Sequence, residues 1–333
     1  MDFLRLVTRE EKTGEQRALC TLKTCQIQES YYNYRPSLAA NGAFLALFLL
    51  SLLAFLVQVT LSKRFIGFTI AMVSGCLLEV LGYIGRIMSY YNPFDENGFL
   101  MQICCLTIAP AFLAAGIYLT LSRIVITFGP ENSRIKPLSY PRIFIPCDIL
   151  SLVLQALGGG MASAASHSNK NPETGNHIMV AGLAFQVFTL LVFMLLCTDF
   201  AVRTVVRSNR MGEAALDPTH AALRRSMKFR AFLVALTLST ICIFIRSVYR
   251  VVELGEGWDG ALIKNQTLFI VLEGVMVVIA VLVLNAFHPG LCFREGYIKE
   301  PKIKTRSGRR KFWQRKSKGD VVVEKGTRMH DEA

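Results

Sequence analysis

Seven stretches of mostly apolar residues follow one another along the chain: approximately Leu38 to Leu61, Phe65 to Ser89, Leu100 to Phe128, Ile143 to Ser166, His177 to Phe200, Phe229 to Val252 and Gln266 to Phe287. A helix rises about 1.5 Å per residue, so crossing about 30 Å of hydrocarbon takes about 20 such residues, and each stretch is long enough. Within hydrocarbon every backbone N–H and C=O must be bonded inside the protein, which leaves helices and closed barrels. The stretches lack the alternation of a barrel strand and therefore read as helices. One such run can belong to a soluble core; seven in succession describe an all-α membrane protein, a seven-transmembrane helix bundle.

Composition agrees with this reading. Of 333 residues, 52% are hydrophobic and 18% charged, and the mean hydropathy is +0.40, more apolar than an ordinary soluble domain. The net charge of +13, from 37 Lys and Arg against 24 Asp and Glu, is the kind of excess that nucleic-acid binders carry. Such proteins spread it over a polar surface, whereas here the basic residues stand between and after the apolar runs, so no nucleic-acid partner is expected. Most cysteines (Cys76, Cys104, Cys105, Cys147, Cys197, Cys242) lie inside apolar runs, where they act as small hydrophobes, which excludes a secreted disulfide scaffold. The first 20 residues contain no apolar core of signal-peptide length, so the first span is expected to direct insertion.

Lys and Arg concentrate in alternate connections: Lys63 and Arg64; Arg134, Lys136 and Arg142; Arg203, Arg207, Arg210, Arg224, Arg225 and Lys228; and the C-terminal tail. The positive-inside rule makes that set cytoplasmic. The N-terminus is then outside and the C-terminus cytoplasmic, against a weaker opposing vote from Arg5, Arg9, Lys12, Arg17 and Lys23. The expected organisation is an outer N-terminal segment over 1–34, a transmembrane domain over 35–290 and a basic disordered tail over 291–333. The tail, with Lys299, Lys302, Lys304, Arg306, Arg309, Arg310, Lys311, Arg315 and Lys316 around Phe312 and Trp313, suits either contact with the anionic cytoplasmic leaflet or a solvated state. Cys292 is a palmitoylation candidate or a plain buried thiol. Outside the membrane, Cys20 and Cys25 have the option of a short-loop disulfide, and the sequon at Asn265 stands too close to the seventh span to be used.

A charge at mid-membrane costs about 2.5–3.5 kcal/mol on insertion scales, so charged side chains in spans face the interior and pair. The second span carries Glu79 and Arg86 on one face, two turns apart; the sixth carries Arg246, Arg250 and Glu253. Counted from the start of their spans, Glu79 and Arg246 match in depth within roughly 5 Å. We therefore expect the second and sixth spans to face each other, Glu79 beside Arg246 and Arg86 beside Glu253, with Arg250 and Glu273 on the same cavity; ion pairs that merely fix register are the competing reading. Arg123 and Asp148 end and begin adjacent spans, where Arg123 either pairs with Asp148 or snorkels to lipid phosphate. Asn41, Gln102, Gln155 and Gln186 add amides that serve as interhelical glue or as a hydrated path. Gly158, Gly159 and Gly160 imply close backbone packing or a break in the fourth span, and Pro110 a kink in the third.

Six sequence blocks then resemble the fungal RTA-like family, the resistance-to-aminocholesterol proteins or lipid-translocating exporters. They are YNYRPSLAAN at Tyr32 to Asn41, EVLGYIGR at Glu79 to Arg86, LTIAPAFLAAGIYLTLSR at Leu106 to Arg123, DILSLVLQALGGG at Asp148 to Gly160, RSVYRVVE at Arg246 to Glu253 and HPG at His288 to Gly290. The resemblance implies seven spans with the N-terminus outside, and export or transbilayer movement of sphingoid bases and other lipids, with resistance to toxic amphiphiles. No GxxxxGK[ST] motif is present, so this chain carries no such ATPase of its own; a carboxylate such as Glu79, Asp148 or Glu273 is available for coupling to a proton gradient.

The leading expectation is therefore a transporter of lipids or amphiphiles, in the plasma membrane, without a cofactor. Its polar path would comprise Glu79, Arg86, Gln102, Asp148, Gln155, Gln186, Arg246, Arg250, Glu253 and Glu273. A seven-helix receptor or sensor for lipid or stress signals is the alternative, although the third span ends in SRI rather than DRY and the seventh in NAFHPG rather than NPxxY. An intramembrane hydrolase would want clustered histidines with carboxylates. His167, His177, His220, His288 and His330 are scattered over span ends, loop and tail, so neither a metal nor an enzyme is expected.

Overall fold

The computed structural model describes residues 20, 22, 24–168, 171–212, 216–256, 260, 262 and 264–293. Residues 1–19, Lys23, Lys170 and the basic tail from Arg294 onward lie outside the described residues, and with them the expectations placed on the tail. Seven helices are long and apolar enough to cross a membrane: Leu38–Ser62, Ile66–Tyr91, Glu96–Phe128, Ser139–Ala165, Glu173–Met211, Met227–Gly255 and Gln266–Cys292. No strand occurs among the described residues. The chain is a multi-pass helical membrane protein.

Local chemistry sets the helix ends. The Ser37 hydroxyl accepts from the Ala40 N–H at 3.4 Å, and Asp95 and Asn265 accept from amides of their first turns, filling donors that a helix start leaves open. The sequon asparagine is thus engaged as a helix cap. The first span ends at Lys63, whose φ of 48° is left-handed, and Phe65, with φ 54°, turns the chain into the second. The seventh span is not uniform: Phe269–Val275 is π-helical, a local widening of the ladder that is frequent at functional positions.

The spans pack in chain order as a ring, each on the next and the seventh on the first, and the third reaches across to the sixth. The second and sixth spans are not among the main packing pairs, since the third and seventh supply most of their contacts, yet Glu79 of the second and Arg246 of the sixth lie near enough for their charges to act on one another. The expected nearness therefore holds, while the closest packing follows ring order, which depth along the membrane normal does not give. Outward-facing residues such as Leu50, Val57, Leu61 and Ile70 are 56–76% exposed, a surface suited to acyl chains. The core is aromatic, with Phe48, Phe55, Tyr83, Tyr118, Phe193, Phe229 and Phe232 almost wholly buried.

The fourth helix runs unbroken from Ser139 to His167, so its glycines do not interrupt it. They split by role. A Cβ on Gly158 would sit 2.3 Å from the Met179 amide nitrogen and 2.7 Å from the Gly175 carbonyl, whereas one on Gly160 meets nothing within 4 Å. Gly158 and Gly175 mark one close approach of the fourth and fifth backbones, and Gly182 against Ser151 and Gln155 marks another. Pro110 lies within a continuous third helix.

Candidate functional site

The end of the bundle where the first span begins is closed by the preceding segment. After a short 3-10 turn at Ile27–Glu29, Tyr31 stacks on Phe99 with ring centroids 4.7 Å apart. Tyr32 is buried, and its hydroxyl donates to Gln102 Oε1 at 2.5 Å and lies 3.3 Å from Ser89 Oγ. Asn33 takes a left-handed φ of 58°, which asparagine tolerates well, and the next residue, Tyr34, meets Arg86. Arg35 donates to the Tyr90 carbonyl at 3.1 Å with its guanidinium 4.0 Å from the Tyr90 ring centroid. A disulfide joins Cys20 to Cys25 ahead of this strap. Burial pushes the Tyr32 phenol up to about 12, against the opposing pull of Arg86, so it remains a neutral donor at any physiological pH. Tyr32→Phe should lower stability by about 1 kcal/mol, the net value of one buried hydrogen bond, read as a lower unfolding midpoint in detergent micelles.

Beneath the strap lies a cavity walled by Tyr32, Tyr34, Arg86, Gln102, Arg250, Glu253 and Phe269. The cavity is narrow, with room of about 20 Å³, enough for one water molecule. Arg86 donates through Nε to Asn41 Oδ1 at 3.0 Å and through Nη2 to the Tyr34 hydroxyl at 2.7 Å. Its guanidinium sits 3.6 Å from the Phe269 ring centroid, a desolvated cation–π contact. Arg250 Nη1 donates to Glu253 Oε2 at 2.7 Å, and Tyr249 donates to the other oxygen of Glu253 at 3.1 Å.

Deeper in the bundle, Glu273 on the π-helical turn receives both arginines of the sixth span. Arg246 Nη2 donates to Glu273 Oε1 at 2.5 Å, and Arg250 Nε stands 3.2 Å from Glu273 Oε2. The second contact lacks hydrogen-bond alignment, since both atoms remain without a bonded partner. Arg246 Nη2 also donates to the Leu106 carbonyl of the third span. Glu79 is 1% exposed, and its Oε1 has no partner among the described residues.

The six ions, Glu79, Arg86, Arg246, Arg250, Glu253 and Glu273, thus balance in number but not in pairing. Glu79 and Arg246 come near enough for their charges to act on one another, as expected, but the close ion pair of Arg246 is with Glu273. The expected pair of Arg86 with Glu253 does not form, because Arg250, three residues from Glu253 on the same helix, takes that carboxylate. Among the described residues no carboxylate pairs with Arg86, which an amide, a phenol and a ring hold instead.

The remaining predicted residues divide. Gln102 joins the cavity. Asp148, Gln155 and Gln186 lie between the fourth and fifth spans, where Gln155 Nε2 donates to Gln186 Oε1 at 3.1 Å and Thr189 Oγ1 lies 3.4 Å from Asp148 Oδ1. No hydrogen bond among the described residues links this group to the six ions, and Asp148 does not pair with Arg123. Sequence reasoning passed over Tyr32, Tyr34 and Phe269 as site residues. The dense YNYR cluster immediately before the first span was the available signal for the two tyrosines; nothing in the sequence marks Phe269.

Comparison with known proteins bears on this arrangement. The model of the family described as RTA1 like protein matches residues 72–296. The sphingoid long-chain base transporter RSB1 of Saccharomyces cerevisiae is 35% identical over 281 residues, covering 78% of this chain and 73% of the relative. Protein RTM1 of the same species is 30% identical over 227 residues, with 68% of each chain covered, and Protein RTA1 is 27% identical over 282 residues, with 78% of this chain and 84% of the relative covered. No solved structure matches. With a family model spanning most of the bundle and a relative of this identity, the chain belongs to the RTA1-like family.

Proposed function

We propose that the protein moves lipids or related amphiphiles across the bilayer, a polar head group travelling along the buried ions while the chain stays in hydrocarbon. One observation carries this reading: six almost fully buried charges begin at a cavity under a tyrosine strap and continue to Glu79 and Glu273 in the interior. Six such ions are a heavy penalty for a bundle that needs only to span. The 35% identity to a sphingoid long-chain base transporter supports a head group bearing an amine and hydroxyls. Glu253 and Glu79, whose Oε1 has no hydrogen-bond partner among the described residues, would receive the amine, and Tyr32 and Gln102 the hydroxyls. The cavity is too narrow for a head group as it stands, so entry requires the strap to move.

In this reading the N-terminus and strap face outside and the C-terminus is cytoplasmic, at the plasma membrane, with the basic tail against the anionic leaflet. The positive-inside pattern and the Cys20–Cys25 disulfide, which belongs to an oxidising compartment, support that orientation. A membrane-impermeant thiol reagent, applied to intact cells after mild reduction, should label Cys20 and Cys25; protection until the membrane is opened would reverse the orientation. The function is tested by reconstituting the full chain into vesicles with a labelled sphingoid base. Transbilayer movement above that of empty vesicles supports the proposal. A protein that binds the base without moving it would be a sensor, and one that converts it to a product an enzyme.

A further inference from the structure

We propose that the cavity under the strap receives an anionic head group, the phosphate monoester of a single-chain amphiphile, held by Arg86, Arg250 and Tyr34. This deepens the head-group reading above and rests on it for the site, though not for transport. Three charged side chains stand on the cavity wall, Arg86, Arg250 and Glu253, two positive against one negative. Arg250 and Glu253 pair with each other at 2.7 Å, and Arg86 bonds no carboxylate among the described residues. Glu79, which balances the charge in number, stands among Arg246, Glu273 and Arg250, and Arg86 is not among the groups acting on it. The wall thus keeps a positive charge in excess at a guanidinium that is 1% exposed. A buried cation without an opposite charge is costly. The Phe269 ring and two neutral oxygens reduce that cost without supplying the charge.

Hydrogen bonding on the wall shows the same imbalance. A guanidinium has five N–H groups, and the bonds of Arg86 to Asn41 and Tyr34 use two of them. Arg250 Nη2 has no partner among the described residues, with its side chain 3% exposed. The Tyr34 hydroxyl accepts from Arg86, which leaves its own proton to donate. The acceptors are already engaged. Glu253 takes Tyr249 on one oxygen and Arg250 on the other, and Gln102 Oε1 takes Tyr32.

Unused donors and unbalanced charge therefore meet at one space. A phosphate monoester answers both, with its negative charge and three strong acceptor oxygens, and the planar guanidinium fork matches it. Arg86 and Arg250 gather on one ring, their guanidinium carbons 3.6 and 5.9 Å from the Phe269 centroid, so that one phosphate can bridge them. An ammonium group has donors only and leaves both arginines unanswered, although an amine on the same head group can share Glu253. Ile103 and Leu254 on the wall suit the first carbons of the chain. Tyr34 belongs to the strap, so a phosphate bound there ties the strap to the second span.

The test reads the unfolding midpoint of the purified full chain in neutral detergent micelles with lysophosphatidic acid, with a monoacylglycerol of the same chain, which lacks only the phosphate, and with inorganic phosphate. A ligand of the folded chain raises the midpoint by mass action. Lysophosphatidic acid should raise it by at least about 2 °C, and the monoacylglycerol should not. Arg86→Gln should increase the half-maximal concentration at least about tenfold, the loss of a charged hydrogen-bond donor. If that variant does not fold, Tyr34→Phe, on the strap, should increase it about threefold. An equal rise with the monoacylglycerol, or an Arg86→Gln or Tyr34→Phe protein responding as the wild type does, overturns the proposal. Inorganic phosphate as effective as the lysophospholipid would identify a free anion as the ligand and overturn it as well. Transport is read separately in vesicles. A chain that moves a sphingoid base yet ignores lysophosphatidic acid overturns this inference alone, and one that binds the lysophospholipid but moves no lipid supports it while the transport reading fails.

Discussion

Glu273→Gln should destabilise the folded chain by about 3–5 kcal/mol, the range for removing one partner of a buried ion pair. The substitution keeps the size of the side chain and removes only its charge. Arg246, donating to Glu273 at 2.5 Å, then faces only neutral acceptors there, an amide oxygen in place of the carboxylate and the Leu106 carbonyl. Arg250 is left with Glu253 alone. Both guanidiniums are at most 3% exposed, so water cannot take over the lost role. A contrast is built into the same chain. Arg134 bonds Asp199 at 2.9 Å with the arginine side chain 59% exposed, and Arg134→Ala should leave the unfolding midpoint almost unchanged because solvent screens such pairs. Unfolding midpoints of the two variants in one detergent would settle the comparison; a Glu273→Gln protein as stable as the wild type would mean that the ion pair contributes nothing to the bundle.

The second large effect is steric. Gly158→Ala drives a methyl group to 2.3 Å from the Met179 amide nitrogen. The obstructing atoms are backbone, which cannot rotate away, so the fourth and fifth helices must separate. Overpacking of this sort costs about 1–3 kcal/mol where side chains can yield, and at least the upper end is expected here. Gly160→Ala, two residues on, meets nothing within 4 Å and should raise stability by up to about 1 kcal/mol through helix propensity. Expression of monodisperse protein, then thermal unfolding, would show the opposite signs. Equal behaviour of the two alanines would contradict the close approach.

The sequence carried the fold because the bilayer enforces it: a run of apolar residues either reaches about 20 or does not, and all seven runs became helices. It also carried the membership of the ion network, since charges inside such runs are conspicuous. It could not carry the pairing. Depth brought Glu79 level with Arg246, but Glu273 approaches Arg246 from the adjacent seventh span, and ring order, not depth, decides who touches. Arg250 and Glu253 pair within one helix turn because a local partner is always in reach, which leaves Arg86 to aromatic and amide groups. The π-helical turn at Phe269–Val275 has no simple sequence signature, yet it is where both Phe269 and Glu273 enter the site. The glycines of the fourth span were legible as a group, but only the register against the fifth helix tells Gly158 from Gly160.

In the proposed function these buried ions move a head group and are not merely register pins. Arg246→Met combined with Glu273→Leu replaces the ion pair by apolar side chains, a change that is often neutral or stabilising, and the variant should fold as the wild type does. The decisive measurement is the initial rate at which a fluorescent sphingoid base crosses vesicles holding equal amounts of folded wild type or double variant. We predict a fall of at least about tenfold, equivalent to 1.4 kcal/mol. A folded double variant that moves the base at the wild-type rate would show that the ions only hold the helices together.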